Sequence, residues 1–216
     1  SRPLNAADVD RLNRKLERAN GASQSSTLTL IDRNGQALAA SNWHEPQSNV
    51  GENYSYRPYV QDALRTGSGR FYGIGTTTGK PGYFLSRAIY DDEGQVLGLI
   101  AIKIALQELE RQWPRTSDIV VVSDAHGVTF LTSREDWRYR LLRRLTEADF
   151  AELQTPRQYQ DEILTPLDYK VYKHLPNGSR LVHIQDPQVP NQMLLQSVRL
   201  PNSNWQMHLL HNTGSS

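Results

Sequence analysis

Val96-Leu97-Gly98-Leu99-Ile100-Ala101-Ile102-Lys103-Ile104-Ala105 is the most apolar run of the chain, and it carries one charge. Its length and β-branched content read as a strand. Side chains on a strand alternate between faces. Val96, Gly98, Ile100, Ile102 and Ile104 therefore share one face, and Leu97, Leu99, Ala101, Lys103 and Ala105 the other. An ammonium inside such a strand needs something to pair with. On its own face Lys103 has alanines on both sides, which leaves space above the sheet of the kind a pocket floor needs. A lysine snorkelling at a sheet edge, or paired with an acid of the chain, is the other reading.

Working outward, Arg70–Gly75 and Gly82–Tyr90 read as strands, and Asp91-Asp92-Glu93-Gly94 as a turn. Towards the N-terminus, Thr27–Asp32 and Gln36–Ser41 form a hairpin around Asp32-Arg33-Asn34-Gly35. Residues 5–20 read as a helix with Leu12, Leu16 and Ala19 at helical spacing, ended by Asn20-Gly21. Asn42–Ser55 is loop, and Tyr56–Arg65 a short helix with Pro58 in its first turn. Two strands, a loop and helix, then three strands predict an antiparallel sheet with helices on one side.

Gln107–Arg115 reads as a short helix or linker, and a second cycle follows. Asp118–Ser123, the turn Asp124-Ala125-His126-Gly127 and Val128–Thr132 repeat the first hairpin. Asp136–Glu152 reads as helix, and Tyr159–Leu164, Tyr169–His174, Arg180–Asp186, Met193–Leu200 and Trp205–His211 as strands. The expectation is two copies of one α/β unit.

The chain has 216 residues, no cysteine and a formal net charge of +1. Disulfides, thiolate zinc sites and cysteine nucleophiles are excluded. No overall field demands a nucleic acid or a membrane surface. No apolar run is long enough to span a bilayer, and no secretory signal is visible. Ser1 and Gly214-Ser215-Ser216 read as cut edges of a longer protein.

Arg57 sits among Tyr54, Tyr56 and Tyr59. A lone arginine on a short helix is usually solvated, but these rings can exclude water and their hydroxyls can meet an anion. The guanidinium offers a two-pronged fork for a carboxylate. Thr76, Thr77 and Thr78 lie between Gly75 and Gly79. From spacing alone they read as a plain turn, although exposed amides and hydroxyls can cradle a carboxylate. Tyr83 and Ser86 are further candidates; three apart on a strand, they face opposite sides unless the strand bulges. Two cationic anchors with hydroxyls between them are the inventory expected for a small molecule with two carboxylates.

Ala39-Ala40-Ser41-Asn42-Trp43, Gly51-Glu52-Asn53-Tyr54-Ser55-Tyr56-Arg57-Pro58-Tyr59, Gly75-Thr76-Thr77-Thr78-Gly79-Lys80-Pro81-Gly82-Tyr83, Val96-Leu97-Gly98 with Lys103, and Asp136-Trp137-Arg138-Tyr139 resemble the extracytoplasmic sensor of C4-dicarboxylate sensor histidine kinases. These belong to the wider double-Cache group of tandem PAS-like modules. The likeness is close over residues 30–140 and looser beyond. It implies an α+β fold: two PAS-like modules, each an antiparallel sheet flanked by helices, on a long N-terminal helix. The expected division is a signalling helix over 1–23, a membrane-distal ligand-binding module over 24–112, and a membrane-proximal relay module over 113–213. Also implied are a periplasmic location in an inner-membrane protein, a homodimer through the N-terminal helix, and a cytoplasmic response regulator reached through a kinase region. The small dicarboxylate would be succinate, fumarate, malate or 2-oxoglutarate. Its expected ligand set is Tyr54, Arg57, Tyr59, Thr76, Thr77, Tyr83, Ser86 and Lys103. Amino-acid-binding relatives commonly place an aspartate where Lys103 stands, to hold the ligand ammonium; a lysine inverts that preference.

The histidines are dispersed and offer no metal site, and no cofactor is called for. Trp43 and Trp137 read as core or interface. The five arginines of Arg134–Arg144 are interleaved with or adjacent to Glu135, Asp136, Glu147 and Asp149, so a solvated amphipathic helix is expected rather than a nucleic-acid surface. No Gly-x-Ser-x-Gly, P-loop or His-Glu-x-x-His occurs, and no nucleophile stands beside a base. This stretch is expected to bind, not to catalyse.

Overall fold

The structure is a computed structural model that describes residues 3–21, 26–111, 113, 118–160, 162–201 and 203–214. The expected boundaries at residues 23–24 and at 112 lie outside them. The chain divides into two compact units: residues 1–108 with 152–160, and residues 109–151 with 161–216.

In the first unit, β1 (Ser26–Asp32), β2 (Ala37–Ala40), β3 (Ser68–Ile74), β4 (Pro81–Tyr90) and β5 (Val96–Ala105) form an antiparallel sheet of order β2-β1-β5-β4-β3. The most apolar strand is thus the central one, closed on both edges by hydrogen bonds. Asp32 sets the first hairpin: its Oδ1 accepts from the amides of Asn34 and Gln36. Asp91 does the same for Glu93 and Gln95 before β5. Helix α1 (Ala6–Asn20) starts on a reciprocal cap, the Asn5 side chain accepting from the Asp8 amide and the Asp8 carboxylate from the Asn5 amide. It belongs to this unit rather than standing apart. Asn13 Oδ1 accepts from the amide of Ala40 at 2.8 Å, and Trp43 Nε1 donates to Glu17. The helix so covers a polar edge that β2 would otherwise expose. Helix α2 (Pro58–Thr66) packs Tyr59, Val60 and Ala63 onto the sheet, with Pro58 in its first turn as expected.

The β3 edge is covered from far away in sequence. The Ile74 amide donates to the carbonyl of Gln158, Gln158 Nε2 to the carbonyl of Tyr72, and Gln160 Nε2 to the carbonyl of Gly75. Arg157 lies over the Tyr56 ring. Tyr159–Leu164 was expected to be a strand of the second module. Instead residues 152–160 turn back onto the first, with Arg157 and Gln160 in left-handed backbone conformations that a strand cannot accommodate.

The second unit holds β6 (Ile119–Ser123), β7 (Thr129–Thr132), β8 (Arg140–Leu141), β9 (Thr165–Pro166), β10 (Tyr169–His174), β11 (Arg180–Ile184), β12 (Gln192–Arg199) and β13 (Gln206–Asn212), besides the helices α3 (Leu106–Arg111) and α4 (Glu147–Gln154), which begin or end at its borders. Its large sheet runs β10-β11-β12-β13-β6-β7, while β8 and β9 form a small parallel pair. Read from the β7 edge, this repeats the first unit: second strand, first strand, last strand, then back through the preceding ones. The Asp124 turn repeats the Asp32 turn, with Oδ1 accepting from the amides of His126 and Val128.

The single helix expected over Asp136–Glu152 is not formed. Glu135–Trp137 makes one 3-10 turn, Arg140–Leu141 is strand, and only Glu147–Gln154 is α-helix. The reason is β7. Thr129 Oγ1 donates to the carbonyl of Trp137 and accepts from the Arg140 amide, and the Thr129 carbonyl accepts from the Tyr139 amide. These bonds hold Tyr139 at φ 62° and exclude helix. Trp137 is fully buried, its Nε1 donating to Asp186. The arginines therefore do not share one helical face: Arg138 meets Glu110, and Arg143 meets Asp149.

His208, on β13, is buried between two serines, with Nε2 2.9 Å from Ser123 Oγ and Nδ1 2.7 Å from Ser197 Oγ. Burial first, and the Arg180 charge second, push its pKa down to about 4. The ring is therefore neutral at pH 7. Because the folded pKa lies below the unfolded one, the second unit should keep full stability above about pH 6.5 and lose it as the pH falls toward 4, by roughly 3 kcal/mol. Hydrogen exchange at the Val121 and Leu210 amides across that range checks this. H208N should flatten the slope.

Candidate functional site: a doubly cationic cavity

Each cation is delivered by an element already described. Arg57 is the N-cap of α2, with extended backbone, and its side chain turns inward. It is 1% exposed. Lys103 lies at the register point where β5 pairs with Thr27 of β1 and Phe84 of β4. Tyr54, Arg57, Tyr59, Thr76, Thr77 and Lys103 line one cavity of about 30 Å³ in the first unit. Thr27, Thr29, Asn49, Thr78, Phe84 and Ala101 also line it.

Neither cation meets a carboxylate among the described residues. Arg57 Nη2 donates to the carbonyl of Ile74, while Nη1 is buried without a hydrogen-bond partner. The guanidinium lies against the rings of Phe71 and Tyr56, 5.0 and 5.6 Å from their centroids. Lys103 Nζ donates to Thr78 Oγ1 at 2.8 Å and to the carbonyl of Lys80 at 2.9 Å, with the Phe84 ring 5.7 Å away. Burial, then the charges of Arg57 and Lys80, lower its pKa to about 8. Burial lowers the pKa of Arg57 as well, opposed by the neighbouring tyrosine oxygens. Burial pushes the Tyr54 phenol up to about 12 and that of Tyr59 higher still, so both are protonated donors.

The loop from Gly75 to Gly79 folds over this group. Thr77 shares a 2.6 Å hydrogen bond with the Tyr54 hydroxyl, Thr76 bonds the Tyr56 hydroxyl, and Thr78 takes the ammonium. Thr77 and Thr78 thus each occupy one polar group of the cavity, and Thr76 ties the loop to Tyr56 beside it. Two glycines make room for the lysine. A Cβ on Gly75 would stand 2.7 Å from Lys103 Nζ, and one on Gly82 would stand 2.5 Å from its Cε.

Tyr83 and Ser86, the other candidates, are not among the lining residues. Ser86 faces the sheet's helical side, but its Oγ donates to the carbonyl of Tyr59 at 2.6 Å and ties α2 to β4. Tyr83 has the opposite parity from Phe84, which lines the cavity, and so points to the other face. Thr27, Thr29 and Asn49 went unread because their place comes from the β1–β5 register and from Asn49 Nδ2 donating to Thr29 Oγ1. Ala101 had a signal: it is one of the small neighbours of Lys103.

The structure also makes a serine–histidine pair that the sequence hides, Ser123 with His208 in the second unit. The other ring nitrogen meets Ser197 and not a carboxylate, so the orienting acid of a hydrolytic triad is lacking there.

The chain belongs to the Cache domain family, whose profile matches residues 3–214. It is 32% identical over 203 residues to the C4-dicarboxylate transport sensor protein DctB of Rhizobium meliloti, covering 94% of this chain and 32% of the relative. It is 32% identical over 178 residues to the protein of the same name in Pseudomonas aeruginosa, covering 82% of this chain and 26% of the relative. The chain thus spans about a third or less of the length of these curated relatives. Among solved structures, the sensor domain of the Vibrio cholerae histidine kinase DctB superposes with a TM-score of 0.86 at 26% identity, over 98% of this chain and 81% of that one. The periplasmic domain of RsbU from Chlamydia trachomatis, at TM-score 0.68 and 12% identity over 94% of this chain and 75% of that one, shares the fold. The chain corresponds to the sensor region of these relatives.

Gly82→Ala should push the Lys103 stem aside and move its ammonium out of the burial that lowers its pKa. The expected result is a rise of the Lys103 pKa from about 8 toward its ordinary 10.5, read by NMR of the labelled ammonium. An unchanged titration would mean the lysine is not held by that packing.

Proposed function

We propose that this chain is the dicarboxylate-binding region of a two-component sensor histidine kinase, and that Arg57 and Lys103 each take one carboxylate of a small dicarboxylate. The observation that carries the reading is the pair of inward-facing cations without a counter-charge among the described residues. A buried charge left without an opposite one is costly, and burying a second beside it costs more. A dianion between them supplies charge-assisted bonds to Arg57 Nη1 and Lys103 Nζ together. Helix α2 adds to this. Its first turn has no acidic residue, and its positive end lies at its arginine cap. The neutral hydroxyls of Tyr54, Thr76 and Thr77 would orient the ligand. Succinate, fumarate, malate and 2-oxoglutarate are the candidate ligands.

A cavity of about 30 Å³ holds about one water, so the ligand enters only when the Gly75–Gly79 loop lifts. The threonines would then give up their bonds to Tyr54, Tyr56 and Lys103, and the carboxylates would take them over. Closure of the loop on the ligand is the event that would bias a two-state equilibrium in the helices leading to the membrane. The rest of the proposed protein is a membrane anchor, a homodimer contact along the N-terminal helix, and a kinase region that phosphorylates a cytoplasmic response regulator.

The competing reading is an amino-acid sensor, since solved relatives of this fold include a Campylobacter jejuni chemoreceptor domain in complex with L-valine. Among the described residues, the cavity lining contains no aspartate or glutamate to meet an ammonium, which disfavours it.

Calorimetry with dicarboxylates, monocarboxylates and amino acids tests the proposal. R57A and K103A should each weaken dicarboxylate binding by about 2–5 kcal/mol. R57A also removes a fully buried side chain and its bond to the Ile74 carbonyl, so the stability of each free variant is measured beside its affinity. Parental affinity in both variants would falsify the site assignment. Binding should also take up a proton near pH 8–9, because an anion raises the Lys103 pKa above its free value of about 8. Affinity should therefore be greatest below pH 8 and fall above it. K103M should lose that dependence, as seen by titration in buffers of different ionisation heat.

A further inference from the structure

The second unit contains a much larger cavity, about 400 Å³ against about 30 Å³ in the first. It lies over one face of the β10-β11-β12-β13-β6-β7 sheet, and the strand register orders that face into rows. The outermost row is Arg199, Gln206 and Ser123. The next is Ser197, His208 and Val121. Then come Leu195 and Leu210, with Arg180 at the β11 end of their row. Val182 and Met193 pair in the row beyond. Ile184 and Leu167 close the apolar end. The face grades from polar to apolar along the strand direction within one cavity.

The polar end is cationic. Arg180 Nη2 donates to Ser197 Oγ, and Arg199 donates to the Ser203 carbonyl and to Asn204 Oδ1. Neither arginine has an ion pair with a carboxylate among the described residues, while Arg143 at the same cavity is taken by Asp149. Asp124 is the acid of the lining, and its Oδ1 is engaged by the amides of its own turn. The neutral His208, held by serines on both nitrogens, adds no charge to repel an apolar chain beside it.

We infer that the second unit binds an amphiphilic carboxylate, with its head between Arg180 and Arg199 and its hydrocarbon tail along Leu195, Leu210, Val182 and Ile184. Such a ligand matches both halves of the gradient: guanidinium forks suit a carboxylate, and the row of branched side chains suits methylenes. A small dicarboxylate would leave the apolar half unfilled, and a plain hydrocarbon would leave the two arginines unmatched. The inference is independent of the dicarboxylate site, because all these residues lie in the second unit.

The test is calorimetry of the whole chain with butanoate, hexanoate, octanoate and decanoate, each paired with the alcohol of the same length. Affinity should rise roughly fourfold per methylene until the cavity is filled, and each carboxylate should bind at least tenfold more tightly than its alcohol. R199Q, at an exposed position that leaves the core intact, and R180Q should each erase the preference for carboxylate while leaving alcohol binding unchanged. R57A should leave octanoate binding untouched, and R199Q should leave succinate binding untouched, so each site can fail without the other. No binding of any chain length, no difference between acid and alcohol, or loss of octanoate binding in R57A would overturn the inference.

Discussion

Two positive charges held inside one small cavity, with no carboxylate among the described residues to answer them, set the terms for the first unit. The cost of desolvating them is offset only by carbonyls, hydroxyls and ring faces. Ile74 and Lys80 give carbonyls, Thr78 a hydroxyl, and Phe71, Phe84 and Tyr56 give π-faces. Aromatic residues that would otherwise serve only as core thereby make buried cations tolerable. Mutual repulsion remains, and it appears in the lowered pKa of Lys103. The proposed anion would relieve it at both cations together.

The same constraint explains the loop between Gly75 and Gly79. Three adjacent threonines present three hydroxyls to Tyr54, Tyr56 and Lys103. Hydroxyls are weak enough partners to be displaced by carboxylates, since charge-assisted bonds are about twice as strong as neutral ones. The first residue of this loop is not held by the loop alone. Gln160 grips the Gly75 carbonyl, and Gln158 extends the neighbouring β3 edge. The Gly75 end of the loop is thus tied to a segment that follows α4 in the chain.

The two units share one strand order and one aspartate-centred turn, yet their sheets carry different chemistry. In the first, small residues at Ala101, Gly75 and Gly82 make room for a lysine, and bulky rings close the space. In the second, branched aliphatics and three arginines line a far larger volume, and the buried polar groups include a neutral histidine. One framework supports both because the strand order fixes where side chains converge, while their identities fix what they attract.

The sequence by itself determined the hairpins, the central strand and the parity of Lys103, because alternation and Asp-x-x-Gly turns are local properties of the backbone. It also pointed to Arg57 and the threonine loop, through residue chemistry and family likeness. Tertiary structure decided the rest. Ser86 and Thr29 both hold hydroxyls on buried faces, yet only the register shows Thr29 in the cavity and Ser86 spent on the Tyr59 carbonyl. The helical periodicity read over Asp136–Glu152 lost to three hydrogen bonds at Thr129, and residues 152–160 joined the other unit. Local pattern cannot report those outcomes, because each depends on bonds to partners far away in the chain, which exist only once the sheets have formed.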